Sequence, residues 1–159
     1  MAAIRFVALS TDVADAYRQG ALDANGQRPE RRISDGSGLP CRHCLGEIAA
    51  GEEYLVLAHR PFTALQAFAE SGPIFLHADA CMRYPETSAP PAGFLERPAM
   101  MLRGYDVDER IVYGTGVIVP SEQLVSSAAA IVDHPNVAFV HARSATNGCF
   151  QCRIDPGAA

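Results

Sequence analysis

The sequence predicts an α+β protein built on a largely antiparallel sheet that carries two or three helices. Three observations lead there. Short apolar or alternating runs that read as strands recur at residues 4–9, 52–59, 73–76, 100–105, 110–119, 137–143 and 149–154. Most neighbouring runs are separated by turn signals, 106–109 and Asn147-Gly148 among them, so they join as hairpins and not as parallel crossovers. Two segments, 11–24 and 121–132, space their apolar residues as a helix does.

Taken in order, the first strand runs into Ser10, Thr11 and Asp12, three good helix caps. Val13, Ala16, Tyr17, Ala21 and Ala24 then continue as a helix to about residue 24, where Asn25-Gly26 ends it. Residues 27–40 are polar, with Gly36, Gly38 and Pro40, and read as an ordered loop. A tight turn at 41–46 precedes the strand at 52–59. Phe62, Leu65 and Phe68 point to a short helix in 61–70, and a helical turn is expected over 77–84. Residues 85–98, with four prolines, form a loop. Ser121 is placed as the cap of a helix that turns Leu124, Val125, Ala128, Ile131 and Val132 to one side. The length of 159 residues suits one domain with its own core, with a metal-knuckle segment at about 39–84 inside it.

Composition excludes several function classes. All 13 basic residues are Arg, which removes a Schiff-base lysine and the P-loop lysine together. A net charge of −5 disfavours sequence-independent nucleic-acid binding, which rests on many phosphate contacts. Arg28, Arg31, Arg32 and Arg42 form one basic run that reads first as a solvated surface beside Glu30 and Asp35; Arg31, Arg32 and Arg42 could seat a small anionic ligand. No segment approaches the roughly 18 apolar residues of a membrane helix. The first ten residues are too short in their apolar part, and too interrupted by Arg5, to be a secretory signal. The expectation is a cytoplasmic chain, in which lasting disulfides are disfavoured and five cysteines read as metal ligands or reactive thiols.

The strongest local signal is Cys41-Arg-His-Cys44-Leu-Gly46. A Cys-x-x-Cys turn brings two thiolates to one metal, and Gly46 offers the backbone freedom the turn needs. Two further ligands close a tetrahedron, and His77-Ala-Asp-Ala-Cys81 supplies them if a helical turn sets positions 77 and 81 on one face. Cys41, Cys44, His77 and Cys81 are therefore the candidate zinc ligands. Cys149-Phe-Gln-Cys152 is the rival second pair, placed behind because residues 149 and 152 of a strand face opposite sides. In that strand Phe150, Cys152 and Ile154 are expected to face the core, and Cys149, Gln151 and Arg153 outward. His43 is expected to point to solvent, His59 to be a satisfied surface or core group, His134 a loop residue, and His141 a buried, hydrogen-bonded core histidine.

Residues 41–81 resemble a treble-clef zinc finger, carried by Cys41, Cys44, Leu45-Gly46-Glu47-Ile48, Gly51-Glu52-Glu53-Tyr54 and the His77 and Cys81 pair. They are similar to fingers of the poly(ADP-ribose) polymerase type. The whole chain also resembles a family of small bacterial proteins, domain of unknown function 1203. That likeness rests on Leu39-Pro-Cys-Arg-His-Cys44, Pro73-Ile-Phe-Leu-His-Ala78, Arg103-Gly-Tyr-Asp106, Tyr113-Gly-Thr-Gly116 and His141-Ala-Arg143 with Cys149-Phe-Gln-Cys152. It implies no activity.

Three functions fit these residues. The first is a zinc-stabilised binding or scaffold protein, since a set of four ligands leaves no open position. The second is a thiol-dependent enzyme or redox protein using the Cys-x-x-Cys pairs. The third is a small-molecule enzyme whose site lies on the C-terminal hairpins, using Arg103, Tyr105, Tyr113, His141, Arg143 and Asn147. Tyr113-Gly-Thr-Gly116 is read as a bulge or a place of close packing.

Overall fold

The computed structural model describes residues 1–158. In chain order its elements are β1 (Ile4–Val7), α1 (Thr11–Arg18), β2 (Glu30–Ile33), β3 (Glu53–His59), β4 (Gly72–His77), α2 (Ala92–Leu95), β5 (Ala99–Tyr105), β6 (Val117–Pro120), α3 (Leu124–Val132), β7 (Phe139–Ser144) and β8 (Phe150–Pro156). The strands form two antiparallel sheets, one of five strands in the order β1-β8-β7-β5-β6 and one of three in the order β2-β3-β4. This is the α+β class the sequence predicts, with the antiparallel strands divided between two sheets.

Each sheet has a core of its own. On one face of the large sheet, Met100, Leu102, Val140, Ala142, Cys152 and Ile154 pack under Leu124, Ala128 and Ala129 of α3. The alternation of β5 and β7 puts Tyr105, Phe139 and His141 on the opposite face. There Tyr105 stacks on Phe139 at 5.3 Å, and Phe62 and Phe150 close around His141 at 5.2 and 4.7 Å. The small sheet packs Leu55, Leu57, Ile74 and Leu76 against Ile48, Cys41 and Ala14 of α1.

Several local expectations are corrected. The first helix stops at Arg18, not near residue 24, because Gly20 adopts φ 93° and the Ala21 N–H bonds back to Ala16 O at 2.9 Å, a glycine-terminated helix end. Ser10 is its cap, accepting from the Val13 N–H at 3.3 Å. Residues 30–33, read as loop, form the edge strand β2, whose side chains are all exposed and so carry no buried period to detect. Residues 61–70 are turns, with the Thr63 N–H and Oγ1 both bonded to Glu109. Residues 78–84 are irregular because their backbone is used at long range, Ala78 N–H to Glu53 O and Tyr84 N–H to His43 O, and because Pro85 disfavours a helical Tyr84. Ser121 begins a single 3-10 turn and makes no capping bond; its hydroxyl is buried with no partner among the described residues. The strand expected over 110–119 shrinks to β6, and Gly114 (φ 91°) turns the chain. The close packing lies instead at Gly104, whose N–H bonds to Thr115 Oγ1 at 2.9 Å. Among the described residues no helix is long and apolar enough to cross a membrane.

Candidate metal centre

The knuckle begins where Pro40 and Glu47 pair in a short antiparallel bridge. The Cys41 N–H bonds to Gly46 O at 2.9 Å and the Leu45 N–H returns to Cys41 O at 2.8 Å. The backbone freedom expected of Gly46 is taken by Leu45, with φ 57°. A leucine tolerates this because its side chain is buried in the core of the large sheet, so packing holds the strained backbone. Cys41 bridges Phe75 of β4 in parallel, and the Arg42 N–H bonds to Phe75 O at 3.0 Å. The knuckle is thereby laid alongside β4, whose last residue is His77.

This arrangement gathers Cys41, Cys44, His77 and Cys81, with one donor atom from each lying within 4.8 Å of the others. Cys41 Sγ and Cys81 Sγ are 3.9 Å apart, and Cys44 Sγ is 3.5 Å from His77 Nδ1. A tetrahedral metal with bonds of about 2.3 Å to sulfur separates its sulfurs by roughly 3.8 Å. The i, i+4 helical geometry proposed for His77 and Cys81 is not what unites them. His77 ends a strand, and the irregular chain after it carries Cys81 back to the knuckle.

The surroundings are polar and specific. The His77 N–H points at Cys41 Sγ at 3.4 Å, and His77 Nε2 lies 3.8 Å from Glu52 Oε1. Arg18 donates through Nη2 to Cys81 Sγ at 3.1 Å and through Nε to His77 O at 3.0 Å, while Asp15 holds Nη1. His43, expected in solvent, is buried; its Nδ1 lies 3.0 Å from Cys81 Sγ and its Nε2 2.9 Å from Thr11 Oγ1. The approach of Arg18 and Thr11 to the cluster had no signal in the sequence, since α1 reaches it only through the fold, and His43 is turned inward by the partners the fold brings to it.

The electrostatics favour one thiolate in the bare cluster. The hydrogen bond from Cys44, then the amides of Cys44, His77 and His43, pull Cys41 down to about 4 against its burial. The same bond and burial push Cys44 up. Burial, then the Cys41 charge, raise Cys81, with Arg18 opposing. Burial, then Arg18, lower His43, with the Cys41 charge opposing. More than one thiolate at this spacing requires a cation among them.

The rival pair is held elsewhere. Cys152 is fully buried in the core of the large sheet, and burial pushes its thiol well above the ordinary range. Cys149 sits half-buried at the β7–β8 turn, where Gly148 (φ 69°) bears out the Asn147-Gly148 turn signal. The expected alternation fails at a β-bulge. Ala142 faces Cys152 but Arg143 faces Phe150, so Gln151 is the extra residue. Phe150 thus turns away from the core of the large sheet toward His141 and His59.

The other candidates scatter. Arg31 and Arg32 are exposed on β2 and paired with Glu53 and Glu30, whereas Arg42 is buried in the knuckle. Arg103 bonds Tyr105 Oη and Glu70, Tyr113 is exposed, and Arg143 donates to Gly148 O at 2.9 Å. His59 is buried against Tyr17, His134 lies in a turn, and His141 is buried as expected but its Nδ1 has no partner among the described residues.

Two antiparallel sheets with a three-cysteine, one-histidine cluster define this as an α+β protein with a donor set able to hold a metal ion. Over residues 38–155 the chain matches the family described as protein of unknown function (DUF1203), and it belongs to that family. No curated protein and no solved structure matches it.

Proposed function

We propose that Cys41, Cys44, His77 and Cys81 hold one zinc ion in a closed, structural site, and that the chain is a zinc-stabilised binding or scaffold protein of the bacterial cytoplasm. The observation that carries this is the convergence of three sulfurs and one imidazole within 4.8 Å. Four protein ligands complete the tetrahedron, leaving no position for a reacting water. When bound, the ion neutralises the thiolates that the bare cluster holds poorly. Glu52 behind His77 and the Arg18 guanidinium at Cys81 orient the ligands from outside. Cys-x-x-Cys, the β3–β4 hairpin and a late His-and-Cys pair keep the order of a treble-clef finger, without its helix. Five free cysteines suit a reducing compartment.

The test is elemental analysis of protein purified without added metal. One zinc per chain, retained in Cys149→Ser and lost in Cys44→Ser, is the expected result. A folded protein with far less than one zinc per chain would overturn the reading.

A second reading has one specific observation behind it. Thr11 Oγ1, His43 and Cys81 Sγ form a relay of two short contacts, 2.9 and 3.0 Å, such as activates a thiol nucleophile. Counting fast-reacting thiols in the native protein separates the two. The zinc reading expects Cys149 alone to react until a chelator is added; rapid alkylation of Cys81 without chelator would favour the thiol enzyme.

A further inference from the structure

Arg42 is the largest fully buried side chain of the molecule, at 2 % exposure. Its Nε donates to Phe150 O at 2.7 Å and its Nη1 to Pro40 O at 2.6 Å, and its guanidinium lies 5.7 Å from the Phe75 ring centroid. Among the described residues its Nη2 has no hydrogen-bond partner, and no carboxylate lies within the 4.0 Å of an ion pair. A second guanidinium, Arg97, shares the same cleft. It donates to Gln151 Oε1 at 3.2 Å, packs 5.6 Å over Phe94, and likewise has no ion-pair partner among the described residues. Two guanidiniums share one recess, and Arg42, held by two carbonyls, has no ion-pair partner among the described residues, so an anion entering the recess is favoured there.

We propose that this cleft binds a small molecule through a carboxylate or phosphate group, with Arg42 as its floor and Arg97 as its wall. The recess has a volume of about 440 Å³, within the range of small-molecule sites. It opens between the knuckle, the chain after α2 and the β7–β8 turn, where Thr146 and Asn147 add neutral polar groups. Two carboxylates also line it, Glu47 and Glu96, and both are exposed. Glu47 accepts the Leu39 N–H at 3.0 Å. The charge is therefore layered, cationic at the floor and anionic at the mouth, which admits a ligand with its oxyanion inward. The site is separate from the Cys and His cluster, and it is not the group of Arg31, Arg32 and Arg42 expected from the sequence.

The test titrates the full-length protein with inorganic phosphate and, separately, with succinate, by calorimetry. One of the two is expected to bind with a Kd below about 1 mM and one site per chain, which also tells phosphate from carboxylate ligands. Arg97→Gln should weaken that binding by about tenfold or more, with Arg97→Lys in between, because the planar fork is lost before the charge. Arg31→Gln should leave it unchanged. Glu47→Gln, which keeps an acceptor for the Leu39 N–H, should tighten binding a few-fold and decides the matter if Arg97→Gln fails to fold. No binding of either probe at about 10 mM, binding undiminished in folded Arg97→Gln, or no tightening in Glu47→Gln would overturn the proposal.

Discussion

Acidification should destabilise this protein through His59 by an amount the structure allows to be worked out. His59 ends β3 with 9 % exposure, its Nδ1 3.0 Å from the Tyr17 hydroxyl and its ring against Phe150. Burial first, and the nearby Arg42 charge second, push it down to about 4 from 6.5. The folded state therefore binds this proton less readily than the unfolded chain does. The stability is present in full above the unfolded value of 6.5 and is lost as pH falls toward 4, where the unfolded state alone is protonated. The whole interval is worth about 3 kcal/mol, of which about 2 kcal/mol is gone by about pH 5. The assay is denaturant unfolding of wild type and His59→Gln at several pH values between about 7 and 4.5. The variant differs from wild type in this one ionisable group, so the difference isolates His59. Wild type should lose stability relative to the variant by about 2 kcal/mol over that range. A difference that stays constant with pH would refute the claim that His59 is buried as a neutral imidazole.

Two further perturbations probe packing and the cluster. Gly104→Ala places a Cβ 2.9 Å from Val137 Cγ2, 3.0 Å from Thr115 Oγ1 and 3.1 Å from Ile131 Cγ2, and should cost about 1–3 kcal/mol in thermal or denaturant unfolding, as overpacked sites do. Arg18→Leu removes the donor to Cys81 Sγ and, if the cluster holds zinc as proposed, should loosen the metal about tenfold in competition with a chromophoric chelator while leaving one zinc per chain.

The strands that alternate against a core were legible in the sequence, as at β3, where the expected 52–59 and observed Glu53–His59 nearly coincide. The strand β2 was not, because an edge strand of Glu, Arg, Arg and Ile with every side chain exposed carries no period. The pair Cys41 and Cys44 was legible because its ligand spacing is set by one local turn. Their convergence with His77 and Cys81 was anticipated for a mistaken geometric reason. A helical face was assumed, whereas the register of β3 against β4, Tyr54 opposite His77, fixes where the strand ends. The burial of His43 could not be read, since its partners Thr11 and Cys81 come from segments 32 and 38 residues away. The reversal of Phe150 depended on a one-residue bulge that no periodicity announces.

The position of the cluster bears on why a metal would be kept there. Among the described residues the small sheet's core holds eight buried residues, of which two are alanine and one is Cys41 itself. The large sheet's core holds fifteen. A core of the smaller size contributes little beyond the chain entropy it must overcome, and such units ordinarily rely on a cross-link or a metal. The knuckle lies on the seam, because Leu45 belongs to the larger core while Cys41 and Ile48 belong to the smaller. Ligands drawn from the knuckle, the end of β4 and the chain beyond it would tie three segments of the small sheet at one point, and Leu45 would pass that constraint to the large sheet. Arg42 itself is held in the cleft by Pro40 O of the knuckle and Phe150 O of β8. A site of stability and a site of recognition would then share five residues of chain, Pro40 to Cys44. If the cluster holds zinc as proposed, that sharing would give a physical reason for a closed metal site: it would keep a buried cation in place where hydrophobic packing alone is thin.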